Sequence, residues 1–112
     1  MRKIAGRERD SPPVACSLSA PDLEKRRELI NSVFSGTLRV DDLEDGYAFT
    51  FPGSTEWAEK LVGMISAERA CCPFLTFEVL FEPDGGQISL RVTGPEGAKT
   101  FIEMELMAPP SA

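Results

Sequence analysis

Two short runs of alternating apolar and polar residues constrain the fold of this chain more than any other feature. Apolar side chains occupy every second position over residues 75–81 and again over residues 88–92. A period of two is typical of β-strands with one buried face. Between the runs lies the turn sequence Pro83-Asp84-Gly85-Gly86, so the two strands should form a hairpin. Hairpins pair antiparallel, which favours an α+β fold over a doubly wound parallel sheet.

A second hairpin is predicted upstream. Leu38 and Val40 precede the turn-prone residues 44–46, after which Tyr47, Phe49 and Phe51 alternate with smaller residues. When the sequence is shifted by 41 residues, the strand over residues 47–51 aligns with residues 88–92 of the other hairpin. Two strand-strand-helix units could therefore share one sheet.

Helical spacing of apolar residues and helix-capping patterns predict three helices. They cover residues 20–34, residue 54 to residue 71 or 72, and a segment that opens at Gly94-Pro95 and ends before Pro109. The predicted fold is α+β, with the order helix, hairpin, helix, hairpin, helix. It contains one four-stranded antiparallel sheet from two hairpins with three helices, and a short extra N-terminal strand over residues 14–18.

The two ends of the chain differ from its middle. Residues 1–15 are highly charged, contain Pro12-Pro13 and show no apolar periodicity, as in a disordered or loosely held arm. We expect a single α+β domain over residues 16–108 and a C-terminal tail over residues 109–112. The 112 residues are enough for one hydrophobic core without disulfide or metal support.

Charge and composition narrow the possible functions. The chain has no histidine, which excludes serine-histidine and cysteine-histidine hydrolases and the usual nitrogen ligand of zinc. Its net charge of -6 repels phosphate backbones and anionic lipid. We therefore predict no nucleic-acid partner and no membrane partner, and a cytoplasmic location. In that compartment we expect three cysteines to be thiols, a metal site or a redox pair in preference to a disulfide framework.

The segment over residues 68–75, ERACCPFL, carries the strongest functional signal. Cys71 and Cys72 end a predicted helix, where adjacent side chains point about 100° apart and cannot easily share an ion. Pro73 pushes the residue before it toward an extended conformation. Cys72 can then leave the helix while Cys71 stays on it, so the two sulfurs can converge.

The chemistry of this position favours a ligand over a nucleophile. A helix C-terminus carries partial negative charge and disfavours a thiolate, whereas a bound cation would stabilise it. Cys16 supplies the third sulfur in the chain. Three sulfurs without histidine favour a soft, thiophilic ion such as Hg(II), Cu(I) or trivalent arsenic. The predicted ligands are Cys16, Cys71 and Cys72, and Glu68 and Arg69 are predicted to support them.

Two other interpretations stay open at this point. The cysteines could be core packing alone, since free cysteine behaves as a small apolar side chain. The chain would then be a protein interaction or dimerisation module, for example a homodimer. A thiol oxidoreductase is the weaker third interpretation. The leading hypothesis remains the binding of a metal ion or a small thiol-reactive ligand.

Four segments resemble a group of small bacterial proteins. They are Ala15-Cys16-Ser17-Leu18, Asp45-Gly46-Tyr47-Ala48-Phe49, the stretch from Glu68 to Leu75, and Gly94-Pro95-Glu96-Gly97-Ala98-Lys99. The resemblance covers nearly everything after residue 15. It implies a bacterial source and a recurring three-cysteine pattern, and it supplies no substrate.

Overall fold

A computed structural model of the chain describes residues 20–107, with side-chain surroundings from Glu24 onward. Three helices and four strands alternate along this part of the chain. They are α1 (Ala20–Phe34), β1 (Arg39–Leu43), β2 (Gly46–Phe51), α2 (Thr55–Cys71), β3 (Thr76–Phe81), β4 (Ile88–Thr93) and α3 (Ala98–Glu105). The predicted α+β class, the four-stranded sheet and the three helices are confirmed. The predicted N-terminal arm, the extra strand over residues 14–18 and the C-terminal tail lie outside the described residues.

The four strands form one antiparallel sheet in the order β1-β2-β4-β3. The two central strands come from different hairpins, and their register pairs Phe49 with Leu90. These two positions are also equivalent under the 41-residue offset of the sequence. The sheet thus has the arrangement expected for two strand-strand-helix units related by an approximate twofold axis near this pair.

One face of the sheet carries the core. Phe49, Phe51 and Leu90 are buried on this face, as the period of two predicts. Phe34 of α1 makes edge-to-face contacts with both phenylalanines, and Trp57 of α2 stacks on Phe51. The helices α1 and α2 therefore pack on the same face of the sheet. In addition, α3 contacts β2 and β4.

The turn between β3 and β4 explains why that hairpin is so clear in the sequence. Asp84 and Gly85 both have positive φ, 60° and 69°, and Gly86 donates its N–H to the carbonyl of Pro83. Two successive left-handed residues define a type I′ turn, whose twist matches that of the flanking strands. Aspartate and glycine tolerate this conformation better than most residues.

Local sequence signals set both ends of α2. The Ser54 hydroxyl accepts a hydrogen bond from the N–H of Trp57 and caps the first turn. At the other end Cys72 has φ -126° and ψ 72°, outside the helical region. The predicted effect of Pro73 is thus confirmed, because the helix ends at Cys71 and Cys72 turns away from its axis.

The start of α3 differs from the sequence prediction. The helix begins at Ala98 rather than at Gly94-Pro95. Gly97 adopts a left-handed conformation with φ 93°, which no residue inside a right-handed helix can have. Ala98 donates its N–H to the carbonyl of Pro95, so the residues from Pro95 form a turn before the helix.

Candidate functional site

A buried polar network lies where α1 meets the C-terminal end of α2. It consists of Arg26 from α1, and Glu68 and Cys72 from the end of α2, and we call these three residues the buried network. Their exposed fractions are 5%, 1% and 0%, and Arg26 and Glu68 are the buried charged residues of the described chain. Two opposite charges and a thiol are thus removed from water together.

Arg26 and Glu68 form a two-point ion pair. Arg26 Nε donates to Glu68 Oε2 at 2.8 Å, and Arg26 Nη2 donates to Glu68 Oε1 at 3.0 Å. A third contact joins Arg26 Nη1 to Glu105 Oε1 of α3 at 3.2 Å. The guanidinium therefore connects three helices, and its planar geometry fits the carboxylate of Glu68.

The sulfur of Cys72 lies against both partners of the ion pair. Its Sγ is 3.8 Å from Arg26 Nη2 and 3.8 Å from Glu68 Oε1. It also lies 3.6 Å from the Sγ of Cys71, a side chain that is itself 1% exposed. The two neighbouring cysteines of the sequence therefore bring their sulfurs together, as the effect of Pro73 predicts.

The two cysteines are in different oxidation states. Cys72 is a buried thiol, whereas Cys71 is disulfide-bonded. From the sequence we expect thiols in preference to disulfides, and the disulfide bond of Cys71 contradicts that expectation. The Sγ of Cys71 is therefore covalently bonded to a second sulfur.

The surroundings of Cys72 keep its thiol protonated at neutral pH. The pKa of Cys72 is raised to about 11, first by burial and then by the negative charge of Glu68, while the charge of Arg26 acts in the opposite direction. A protonated thiol is a weak nucleophile. For Arg26, burial lowers the pKa, but the hydrogen bond and the charge of Glu68 outweigh that effect and leave it raised. The guanidinium is therefore a permanent cation.

The predicted site residues lie in different environments. Glu68 is in the buried network, and Cys71 and Cys72 adjoin each other. Arg69 is exposed on α2, and the cation beside the sulfur is Arg26. Cys16 lies outside the described residues. Within residues 20–107 no three Cys, Asp or Glu side chains are grouped closely enough to hold a metal ion.

Sequence reasoning missed Arg26, although a signal for its burial exists. Arg26 shares one helical face with Ile30 and Val33, both of which are buried. A charged residue on an apolar face is expected to have a buried partner of opposite charge. The neighbouring charges of the segment EKRRE hide this pattern.

Comparison with known proteins finds no match for this chain. No protein-family model, curated protein or solved structure matches the chain. The resemblance to small bacterial proteins therefore stays a prediction. Separately, none of the helices in the described part of the chain is both long and apolar enough to cross a membrane.

Proposed function

We propose that the reduced chain binds one thiophilic ion or thiol-reactive ligand through Cys16, Cys71 and Cys72, in the cytoplasm and without a nucleic-acid or membrane partner. The observation that carries this proposal is the 3.6 Å separation of the Cys71 and Cys72 sulfurs, seen in the form in which Cys71 is disulfide-bonded. Two sulfurs that share one ion through bonds of roughly 2.3 Å lie within about 4 Å of each other. The spacing suits a common ligand.

The buried network supports a ligand site over simple packing. Both cysteines belong to the hydrophobic core, and packing alone would account for that. Packing does not account for a charged pair in contact with Cys72, because the burial of two charges has a desolvation cost. Charged groups that surround a buried titratable side chain are typical of functional sites.

Cys16 is proposed as the third ligand. Cys72 is a thiol, whereas Cys71 is disulfide-bonded. Binding requires the reduced form. A cellular dithiol would pass two electrons and two protons to the disulfide, giving two thiols on this chain and a disulfide on the reductant. The cytoplasm supplies such reductants.

Cysteine variants test the proposal. The reduced, anaerobically purified chain is incubated with Hg(II), Cu(I) or arsenite, desalted, and analysed for bound ion by mass spectrometry of the elements. We expect about one ion per chain, with retention lost in C16S, C71S and C72S. Ala70→Ser is the matched control, because it places serine at an exposed position of the same helical turn. Uptake that survives in all three cysteine variants, or no uptake in the wild type, overturns the proposal.

The second candidate function is a protein interaction or dimerisation module. Its support is the edge strand β3, on which Leu80 and Phe81 are 56% and 51% exposed. An edge strand with exposed apolar residues can pair with another chain. Sedimentation of C71S/C72S separates the two functions, since an interaction module should keep the association behaviour of the wild type. A strictly monomeric wild type removes homodimerisation.

A further inference from the structure

Resting on the second candidate function, we propose that two copies of the chain join through their β3 strands, which pair antiparallel and continue the sheet of one copy into that of the other. The register centres on Val79, so that Phe77 of each copy lies opposite Phe81 of the other copy. The proposal depends on the position of β3 in the sheet, on the hydrogen-bond pattern of the sheet and on the order of residues along the strand.

The two edges of the sheet differ in charge. Within residues 20–107 the edge strands are β1 and β3. Three of the five residues of β1, RVDDL, are charged, and charged side chains on an edge strand oppose pairing with another chain. β3, with the sequence TFEVLF, has Glu78 as its one charged residue, and that carboxylate is 3.4 Å from Arg91 Nε of the same chain. β3 is therefore the edge that lacks this protection.

The hydrogen bonds between β3 and β4 show which backbone groups of β3 face its open edge. Glu82 donates its N–H to the carbonyl of Gln87 at 3.4 Å, in the register of the β3–β4 pairing. In an antiparallel pair, hydrogen-bonded and non-bonded positions alternate along each strand. Every second residue counted back from Glu82 therefore bonds to β4. The residues between them direct their N–H and C=O groups toward the open edge, and these are Phe77, Val79 and Phe81.

The other side of β4 gives the same pattern. Gly94 donates its N–H to the carbonyl of Asp45, in the register of the β2–β4 pairing. The even-numbered residues of β4 therefore bond to β2, and the odd-numbered residues bond to β3. Their partners on β3 are Thr76, Glu78 and Leu80, so the alternate residues of β3 are again the ones that face outward.

The outward-directed residues of β3 have the same order in both directions, Phe-Val-Phe. An interface between identical chains related by a twofold axis needs a surface that is complementary to itself. An axis through Val79, perpendicular to the sheet, pairs the outward N–H and C=O groups of all three residues and sets Phe77 against Phe81 of the second copy twice. Phe81 is 51% exposed, so these aromatic cross-strand pairs remove apolar surface from water. A second copy of the chain is thus a matched partner for β3.

The neighbouring registers are worse in charge or in hydrogen bonds. An axis through Glu78 sets two glutamates directly opposite each other, and like charges at opposed positions are destabilising. An axis through Leu80 sets Glu78 against Glu82 and brings Pro83, which has no N–H, into the pairing. An axis between two residues pairs outward-directed backbone groups with groups that already bond to β4. In the Val79 register Glu78 instead faces Leu80 of the second copy.

Two variants of the full chain separate this pairing from other modes of association. Phe81→Lys puts an ammonium group opposite Phe77 of the second copy, and it should raise the dimer dissociation constant by about tenfold or more because the change occurs twice. Leu80→Lys puts the same group opposite Glu78 of the second copy, and it should keep the constant within about threefold of the wild type. The replaced side chains are 51% and 56% exposed, so both variants should fold. Val40→Lys, at a 44% exposed position on β1, is the control and should have no effect. Analytical ultracentrifugation measures each constant.

Amide hydrogen exchange of the wild type, followed by NMR over a range of protein concentrations, tests the register directly. In the monomer the N–H groups of Glu78 and Leu80, which bond to β4, should exchange slowly. Those of Phe77, Val79 and Phe81 should exchange rapidly in the monomer and become protected as the dimer forms. This measurement needs no variant, so it decides the question even if a variant does not fold.

Each outcome has a defined meaning. If the wild type dimerises but F81K associates equally well, or L80K loses the dimer, the chains associate through another surface, so this inference is wrong and the dimerisation function stands. A wild type that is monomeric at every concentration, with rapid exchange at Phe77, Val79 and Phe81, removes both. Protection of these three amides in a monomer means that another segment of the same chain covers the edge, which also overturns the inference.

Discussion

Arg26 and Glu68, 42 residues apart in the sequence, form a two-point ion pair with N···O distances of 2.8 and 3.0 Å inside the protein. The pair joins α1 to α2 at the point where the Cys71 and Cys72 sulfurs meet. Burial of either charge without the other would have a large desolvation cost. The stability of the protein should therefore depend on both residues together, and this dependence can be measured.

Removal of one partner should destabilise the protein strongly. Arg26→Met leaves the Glu68 carboxylate buried without its cation, and we expect the free energy of unfolding to fall by about 3–5 kcal/mol. The double variant R26M/E68M replaces both charges with apolar groups and should lie within about 1 kcal/mol of the wild type or above it. Chemical denaturation checks both values. Arg69→Met, at an exposed position beside Glu68, is the control and should cost less than about 0.5 kcal/mol. Equal losses for R26M and R69M would contradict the account.

The reactivity of Cys72 should depend steeply on alkaline pH. Its pKa is raised from 9.0 to about 11, first by burial and then by the charge of Glu68. Alkylation of the oxidised protein, in which Cys71 is not a thiol, should therefore be slow at neutral pH and rise toward pH 11. Because the folded pKa is the higher one, the associated stability is fully present below the unfolded value and is lost as pH rises through about 11. Glu68→Gln should lower the midpoint and Glu59→Gln should not. Rapid alkylation of the folded protein at neutral pH would be incompatible with a protonated thiol.

Tyr47 gives an independent check on the described electrostatics. The hydroxyl of Tyr47 donates to Glu103, and this hydrogen bond, with smaller contributions from burial and nearby carboxylates, raises its pKa to about 12. It is the one tyrosine in the chain, so absorbance of the tyrosinate reports it alone. The stability linked to this group is present below the ordinary pKa of 10.0 and is lost as pH rises through about 12. In Glu103→Gln the midpoint should move back toward 10.0, and an unshifted wild-type midpoint would disprove the contact.

Two glycines should respond to alanine in opposite ways. A Cβ at Gly36 would lie 2.1 Å from Cη2 of Trp57, so Gly36→Ala should cost about 1–3 kcal/mol and change the tryptophan fluorescence. Gly63 lies at an exposed position in the middle of α2, where an added Cβ would meet nothing within 4 Å. Gly63→Ala should raise the free energy of unfolding by about 0.5–1 kcal/mol through helix propensity. A neutral Gly36→Ala variant would show that Trp57 packs elsewhere.

Local sequence patterns that involve only a few neighbouring residues predicted much of the fold. The type I′ turn at Asp84 and Gly85 follows from residues that tolerate positive φ, and the end of α2 follows from Pro73. The start of α3 was predicted too early, because a proline in a first turn is compatible with a helix and the left-handed conformation of Gly97 is not visible in the sequence.

The site was only partly predictable because its main contacts are long-range. The convergence of Cys71 and Cys72 follows from adjacent residues and one proline. The role of Arg26 depends on how α1 packs against α2, which no local pattern specifies. Arg69, next to Glu68 in sequence, points to solvent because neighbouring helical positions lie on different faces.

Native mass spectrometry of the reduced wild-type chain, combined with thiol counting before and after addition of a soft ion, tests the central claim most directly. We predict one ion per chain and the loss of three thiols, with labelling carried to completion because the buried Cys72 reacts slowly at neutral pH. A chain that keeps all three thiols and carries no ion with Hg(II), Cu(I) or arsenite would contradict the proposal, and would leave the cysteines as parts of the core.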